Sequence, residues 1–205
     1  MTHSGMDHRA ARTRAALGRA LVSLVRSKGY EAATVAEVCA AADVGRSTFY
    51  AHYAGKDDLK RRAMAAHLRE VIARGGGSAD GAQLGDPLGS SLLLLVHARD
   101  HLDLRRALAG GSGERIAVEM LGQVVREHVR AALAGAAAGR DGDAPPEAAA
   151  AFVTGAWLAL HVWWLDAGAP LTPRAVDAMF RKLATQGVAD AARHSWIPLK
   201  NFDLG

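Results

Sequence analysis

Apolar residues recur at helical spacing along most of the chain. Leu17, Leu21, Leu24 and Val25 share one face of a segment over 9–28, with arginines opposite, and Gly29 is suited to stop it. Thr34, with Glu37 three positions on, is a capping-box pattern that opens a short helix with Val35, Val38 and Ala42 on its inner face. Asp43-Val44-Gly45 breaks the pattern, and a third helix is predicted over 46–52 with Phe49 turned inward. Ala54-Gly55 ends it, and Lys56-Asp57-Asp58 opens a fourth helix to about residue 74, its acids suited to the helix dipole. Further on, 87–109 reads as one helix or two with a break near His101, and 114–133 as another. Pro145-Pro146 starts a long helix to about residue 167, and Gly168-Ala169-Pro170 stops it. Thr172-Pro173 then supplies N-cap and first-turn chemistry for a last helix to about residue 193. No segment alternates as a strand does, and no repeat is present. The expected fold class is all-α: an N-terminal three-helix helix-turn-helix domain and a C-terminal helical bundle.

Gly75–Gly85 has the composition of a flexible linker, as has the stretch 135–144. The first linker divides the chain into residues 1–74, including the helix over 56–74, and residues 75–205. Charge follows that division. Residues 1–74 hold 13 of the 25 Lys/Arg and 7 of the 21 Asp/Glu, a net of +6, against −2 for the remainder. A basic first segment is what a phosphate-binding surface needs, although a solvated basic surface shows the same excess. Cys39 is the single cysteine, so no disulfide forms within one chain, and MTHSGMDHRAARTR contains no apolar signal core. The apolar run over 148–165 is interrupted by Thr154 and His161 and reads as a buried helix rather than a membrane span. A cytoplasmic protein without membrane partners is expected.

The run from Thr34 to Leu59, TVAEVCAAADVGRSTFYAHYAGKDDL, carries the most specific signal. Thr34-Val35, Val38, Ala42, Val44, Thr48-Phe49-Tyr50, His52-Tyr53, Lys56 and Leu59 resemble, at fixed spacing, the helix-turn-helix signature of the TetR (tetracycline-repressor-like) family of regulators. The resemblance covers about residues 12–64. Two positions depart from it. Asp43 stands where glycine is frequent in the turn, and aspartate tolerates a left-handed backbone better than most residues. Cys39 stands where alanine is usual. It reads as a small buried side chain, with a redox role as the sharper alternative.

A recognition helix has to offer its N-terminal side chains to base edges. Gly45 permits close approach of backbone to DNA. Arg46 follows at the helix tip and can bridge guanine O6 and N7, or else hold a phosphate. Ser47 comes next, and Thr48 can meet a thymine methyl or a phosphate. The resemblance implies backbone contacts for Tyr50 and His52, against a simple packing role for the Tyr50 ring. Lys56, at a helix start, is expected on a phosphate, as is Thr34, whose cap role is sufficient alone to explain it. Arg9, Arg12 and Arg14 form a basic arm for backbone or minor groove, or a solvated tail.

One such module reads few base pairs, so a homodimer on a palindromic double-stranded operator is expected. Leu158, Val162, Val176, Met179, Phe180 and Leu183 are the proposed pairing residues of the last two helices, though some of these apolar positions face the chain's own core. By family analogy an unknown small-molecule effector would sit among His97, His101, Met120, Val124, Phe152 and Trp157. It would release a repressor by favouring one of two dimer states. His97 and His101, four apart, have metal-pair spacing, but no further ligand is identified, and neither a metal nor a cofactor is expected. The sequence offers no Ser/His/Asp order, phosphate-binding glycine loop or dense carboxylate cluster, so an enzyme is not expected.

Overall fold

The computed structural model describes residues 3–75, 86, 88–136 and 145–191, and within these the chain is helical, with no strand. The helices are α1 (His3–Lys28), α2 (Val35–Ala42), α3 (Arg46–His52), α4 (Lys56–Gly75), α5 (Ser91–Asp100), α6 (Leu102–Leu108), α7 (Ser112–Ala136), α8 (Pro146–Asp166) and α9 (Pro173–Ala191). The break near His101 is present, with His101 closing α5 and preceding α6. The two glycine-rich linkers lie largely outside the described residues, over 76–85 and 137–144, as does the end expected for the last helix. Helix α1 starts at His3, upstream of the expected residue 9, so Arg9, Arg12 and Arg14, expected as a basic arm, all lie within it. With alanine and arginine abundant there, nothing local stops the helix from extending upstream.

Leu17, Leu21 and Val25 of α1, Val38 of α2, Phe49 of α3 and Leu59 of α4 close the core of the first bundle. Cys39 is buried in that core. The core continues without a gap into Leu94, Leu95, Ile116, Val124, Val129, Trp157 and Trp164. Helix α4 joins the two groups. It runs from the end of α3 to pack along α7, while also touching α1 and α5. The start of α5 is clamped from α9. The Arg181 guanidinium donates to Asp177 and Asp86, at 2.9 Å each, and to the Leu88 carbonyl at 2.9 Å. Helix α8 is long and apolar enough to cross a membrane by length and composition. Its Ala150, Thr154, Trp157, His161, Trp164 and Leu165 are buried within the bundle.

The last loop reverses through Gly168 and Ala169, both at positive φ, and α9 starts where expected, with the Thr172 hydroxyl accepting from the Ala175 amide at 3.2 Å. Val176 (0% exposed) and Phe180 (3%) turn into the chain's own core. That corrects their assignment to a partner-facing surface: α9 packs on α5 and spends this part of its stripe there.

Candidate nucleic-acid interface

The site is built on the α2–α3 corner. Thr34 caps α2 through the full reciprocal box. Its hydroxyl accepts from the Glu37 amide at 3.3 Å and donates to the Glu37 carboxylate at 2.7 Å, and that carboxylate accepts from the Thr34 amide at 3.0 Å. Lys28 also reaches Glu37, and these hydrogen bonds, Lys28 foremost, hold the carboxyl down at about 2. At the other end of α2, Asp43 adopts the left-handed conformation (φ 52°, ψ 48°) expected of the turn. The Asp43 and Val44 amides donate back to the Ala40 and Cys39 carbonyls, satisfying the last turn of the helix.

The turn delivers α3 with Phe49 wholly buried and packed against Tyr53 at 5.7 Å between ring centres. With Phe49 fixed inward, Arg46, Ser47 and Thr48 are exposed. Tyr50 is 59% exposed, its ring edge-on to Phe49. Arg46 makes no hydrogen bond or ion pair to another described residue, so its guanidinium is available to an external acceptor. Gly45 lies at φ −63° and ψ 147°, ordinary backbone for any residue. A Cβ there would come no closer than 3.8 Å to Ser47. The fold therefore has no need of glycine at 45. His52 is half-buried beside Tyr53.

Lys56 opens α4. Its ammonium is turned back onto the α1–α2 connection, donating to the Tyr30 carbonyl at 2.8 Å and the Glu31 carbonyl at 3.4 Å, and it lies 4.3 Å over the Tyr30 ring. Those carbonyls hold the ammonium within the chain and tie the start of α4 to the α1–α2 connection.

Lys56 belongs to a junction that sequence reasoning missed. Tyr30 is 2% exposed, and its hydroxyl donates to Asp57 at 2.6 Å. Lys60, also buried, stands 4.5 Å over the same ring and donates to the Gly113 carbonyl. Burial pulls its ammonium down to about 8. Glu31 accepts from the Ser112 amide at 2.8 Å and the Ser112 hydroxyl at 2.9 Å, capping the start of α7 and keeping its carboxyl below the usual range. Gly113 has no room for a side chain: a Cβ would lie 2.8–2.9 Å from the Tyr30 Cβ and ring. The α6–α7 turn is thus seated against the helix-turn-helix. The only signals along the sequence are an isolated aromatic after Gly29 and a pair of glycines around Ser112.

The residues expected around an effector are dispersed. Met120, Val124 and Trp157 are buried, His97 and His101 are half-buried, and Phe152 is 63% exposed. Phe152 therefore faces away from the core. Helix α8 is apolar all round, which left the side that each residue takes open. A cleft does exist beside Trp157, lined also by Leu88, Ser90, Ser91, Val125, Val129, Val153 and Phe180, with the indole N–H donating to Ser91 at 3.0 Å. It has room for about one water molecule. Leu158, Val162, Met179 and Leu183 are half-buried. The outer face of α8 consists of Phe152, Gly155, Ala159 and Trp163, all exposed.

Residues 19–63 match the family described as bacterial regulatory proteins, tetR family. Over 68 residues, 33% of this chain, the sequence is 32% identical to the uncharacterized HTH-type transcriptional regulator YxbF of Bacillus subtilis (strain 168), a match spanning 18% of that relative's length. The fold resembles a TetR transcriptional regulator from Streptococcus agalactiae 2603V, at a TM-score of 0.59 and 20% identity over 90% of this chain and 98% of the other. It equally resembles full-length tylp, a tetr regulator from Streptomyces fradiae, at 0.60 and 20% identity over 95% and 88%.

Proposed function

We propose that the chain, whose residues 19–63 match the tetR family of bacterial regulatory proteins, binds a palindromic DNA operator as a homodimer and represses transcription until a small molecule releases it. In this reading residues 1–74 hold the DNA and residues 75–205 pair and sense. The observation that carries the DNA-binding part is the tip of α3, where Arg46, Ser47, Thr48 and Tyr50 are exposed around a fully buried Phe49. Such a helix places side chains in a major groove without disturbing its own core. The outer stripe of α8 supports pairing. Its two large aromatics, Phe152 and Trp163, flank Gly155 and Ala159, where a second helix can come close. The effector part calls for the one-water cleft beside Trp157 to open, because ligand sites for drug-sized molecules run to about 300 Å³ or more.

The test starts from duplexes selected out of random DNA by the protein. Arg46→Ala is expected to lose ~1–3 kcal/mol per half-site on the selected operator if Arg46 reads guanine with two hydrogen bonds. The loss should shrink on an operator in which that guanine is replaced. Equal losses on every operator would move base reading to Ser47 or Thr48 and leave Arg46 on phosphate. Failure to select any sequence would remove the regulator reading.

Gly45→Ser separates fold from function. Serine caps helices at least as well as glycine, so the unfolding midpoint should hold, with a change within about 0.5 kcal/mol. Operator affinity should fall, because the added side chain intrudes where backbone meets DNA. A variant that binds as tightly as the parent would show that nothing approaches residue 45.

A further inference from the structure

Helix α4 begins four residues after the recognition helix and packs on α5, and beside the buried Leu68, Leu94 and Leu95 the two helices meet through histidine rings. The His67 ring of α4 lies 4.8 Å from the His97 ring of α5, and His97 lies 4.3 Å from His101, at the helix end. His101 Nδ1 donates to the His97 carbonyl at 2.9 Å, which leaves its Nε2 as the site for a further proton. The rings do not gather their nitrogens around one metal position. They touch in series, tilted by 55° and 36°, a contact that suits neutral imidazoles and is opposed by like charge as soon as two of them are protonated. His67 is exposed, so protons reach the cluster without unfolding the chain.

We propose that the His67–His97–His101 cluster is a proton-operated latch between α4 and α5, closed when neutral and opened by acid, which frees α4 and with it the recognition helix. The part concerning DNA rests on the regulator reading above, whereas the latch itself does not. Acting on the two perturbed rings are Glu70 and Arg74 from α4 and Asp100 from α5, besides the imidazoles themselves. Of the pair that ties α4 to α7, Arg69 and Glu127, each neutralises the other at 2.9 Å. Burial, followed by the neighbouring imidazoles, lowers His97 from 6.5 to about 4, and the same causes lower His67. The sign follows from linkage. The closed state resists protons that the open state accepts, so closure is complete above about 6.5 and is lost progressively as the pH falls from there towards 4.

The experiment uses the full chain with Cys39→Ala and spin labels placed at Ala66 on α4 and Val96 on α5, both exposed. Between pH 7.5 and pH 5.5 at fixed ionic strength, the label separation is expected to lengthen in the parent and to stay constant in His97→Phe, which keeps a planar ring that cannot take a proton. Far-UV circular dichroism at both pH values confirms that the helices persist. A second non-titrating variant, His67→Gln, should likewise lose the pH response. Operator affinity should fall about tenfold over the same interval in the parent and be flat in His97→Phe. A separation that does not change with pH, or one that changes as much in His97→Phe, overturns the latch. A separation that changes while operator affinity does not follow overturns its coupling to DNA. Binding to no DNA at either pH overturns the regulator reading, with the latch still measured on its own.

Discussion

Tyr30→Ala is expected to cost about 3–5 kcal/mol, the range for removing a buried aromatic ring. For a domain whose whole stability is about 5–15 kcal/mol, that approaches unfolding. The ring is 2% exposed and sits where three elements meet. Lys56 and Lys60 from α4 both stand over it, and Gly113 of α7 lies against it with no space for a methyl group. Truncation would remove the packed ring and leave two ammonium groups without their aromatic partner. Tyr30→Phe isolates the hydroxyl, which donates only to Asp57, and should cost about 1 kcal/mol. Gly113→Ala probes the same contact from the other side. Alanine normally improves a helix by up to about 1 kcal/mol over glycine. Here it should destabilise by about 1–3 kcal/mol, since the near end of a rigid ring cannot yield. Urea unfolding with an unchanged slope would read all three. A Tyr30→Ala loss below about 1 kcal/mol would show that the junction closes over the gap and that Tyr30 is not its keystone.

That junction also marks where sequence reasoning stops. The capping box of Thr34 and Glu37, the left-handed Asp43 and the inward Phe49 were all legible, because each depends on partners within a few residues. The bounds of α3 follow from the same local chemistry. Lys56 was legible only in part. A lysine at a helix start points to phosphate, and its partners within the chain are the carbonyls of Tyr30 and Glu31, in another turn of the chain. Glu31 and Ser112 are 81 residues apart, and nothing in either neighbourhood announces the other. Helix α8 failed in a different way. With apolar residues on every side its periodicity points nowhere, and Phe152, expected at the effector, is the most exposed large apolar residue among those described. The assignment of Val176 and Phe180 outward had the same origin: a stripe identifies a buried face without saying whether the cover is the chain itself or a second copy.

With the faces separated, the pairing surface can be tested at a single position. Trp163 is 40% exposed in the single chain and lies three helical turns from Phe152 on the outer side of α8. Trp163→Glu should therefore be tolerated by the isolated fold, because a glutamate there reaches water. In a twofold dimer built on this stripe, each interface would contain the substitution twice. A buried charge without a partner costs about 3–5 kcal/mol, and two such charges weaken association by at least about four orders of magnitude. Light scattering should show the parent at twice the 21.5 kDa chain mass and the variant at that mass, with unchanged helical circular dichroism. Operator affinity should collapse in parallel, since one helix-turn-helix reads only half of a palindrome. Val96→Glu is the control. Val96 is exposed to a similar degree, at 42%, but lies on α5 away from the stripe, and the substitution should leave the mass alone. A parent that scatters as a monomer would sink the pairing proposal outright. A Trp163→Glu variant that remains dimeric would move the interface to another surface, such as that of the half-buried Met179 and Leu183 of α9.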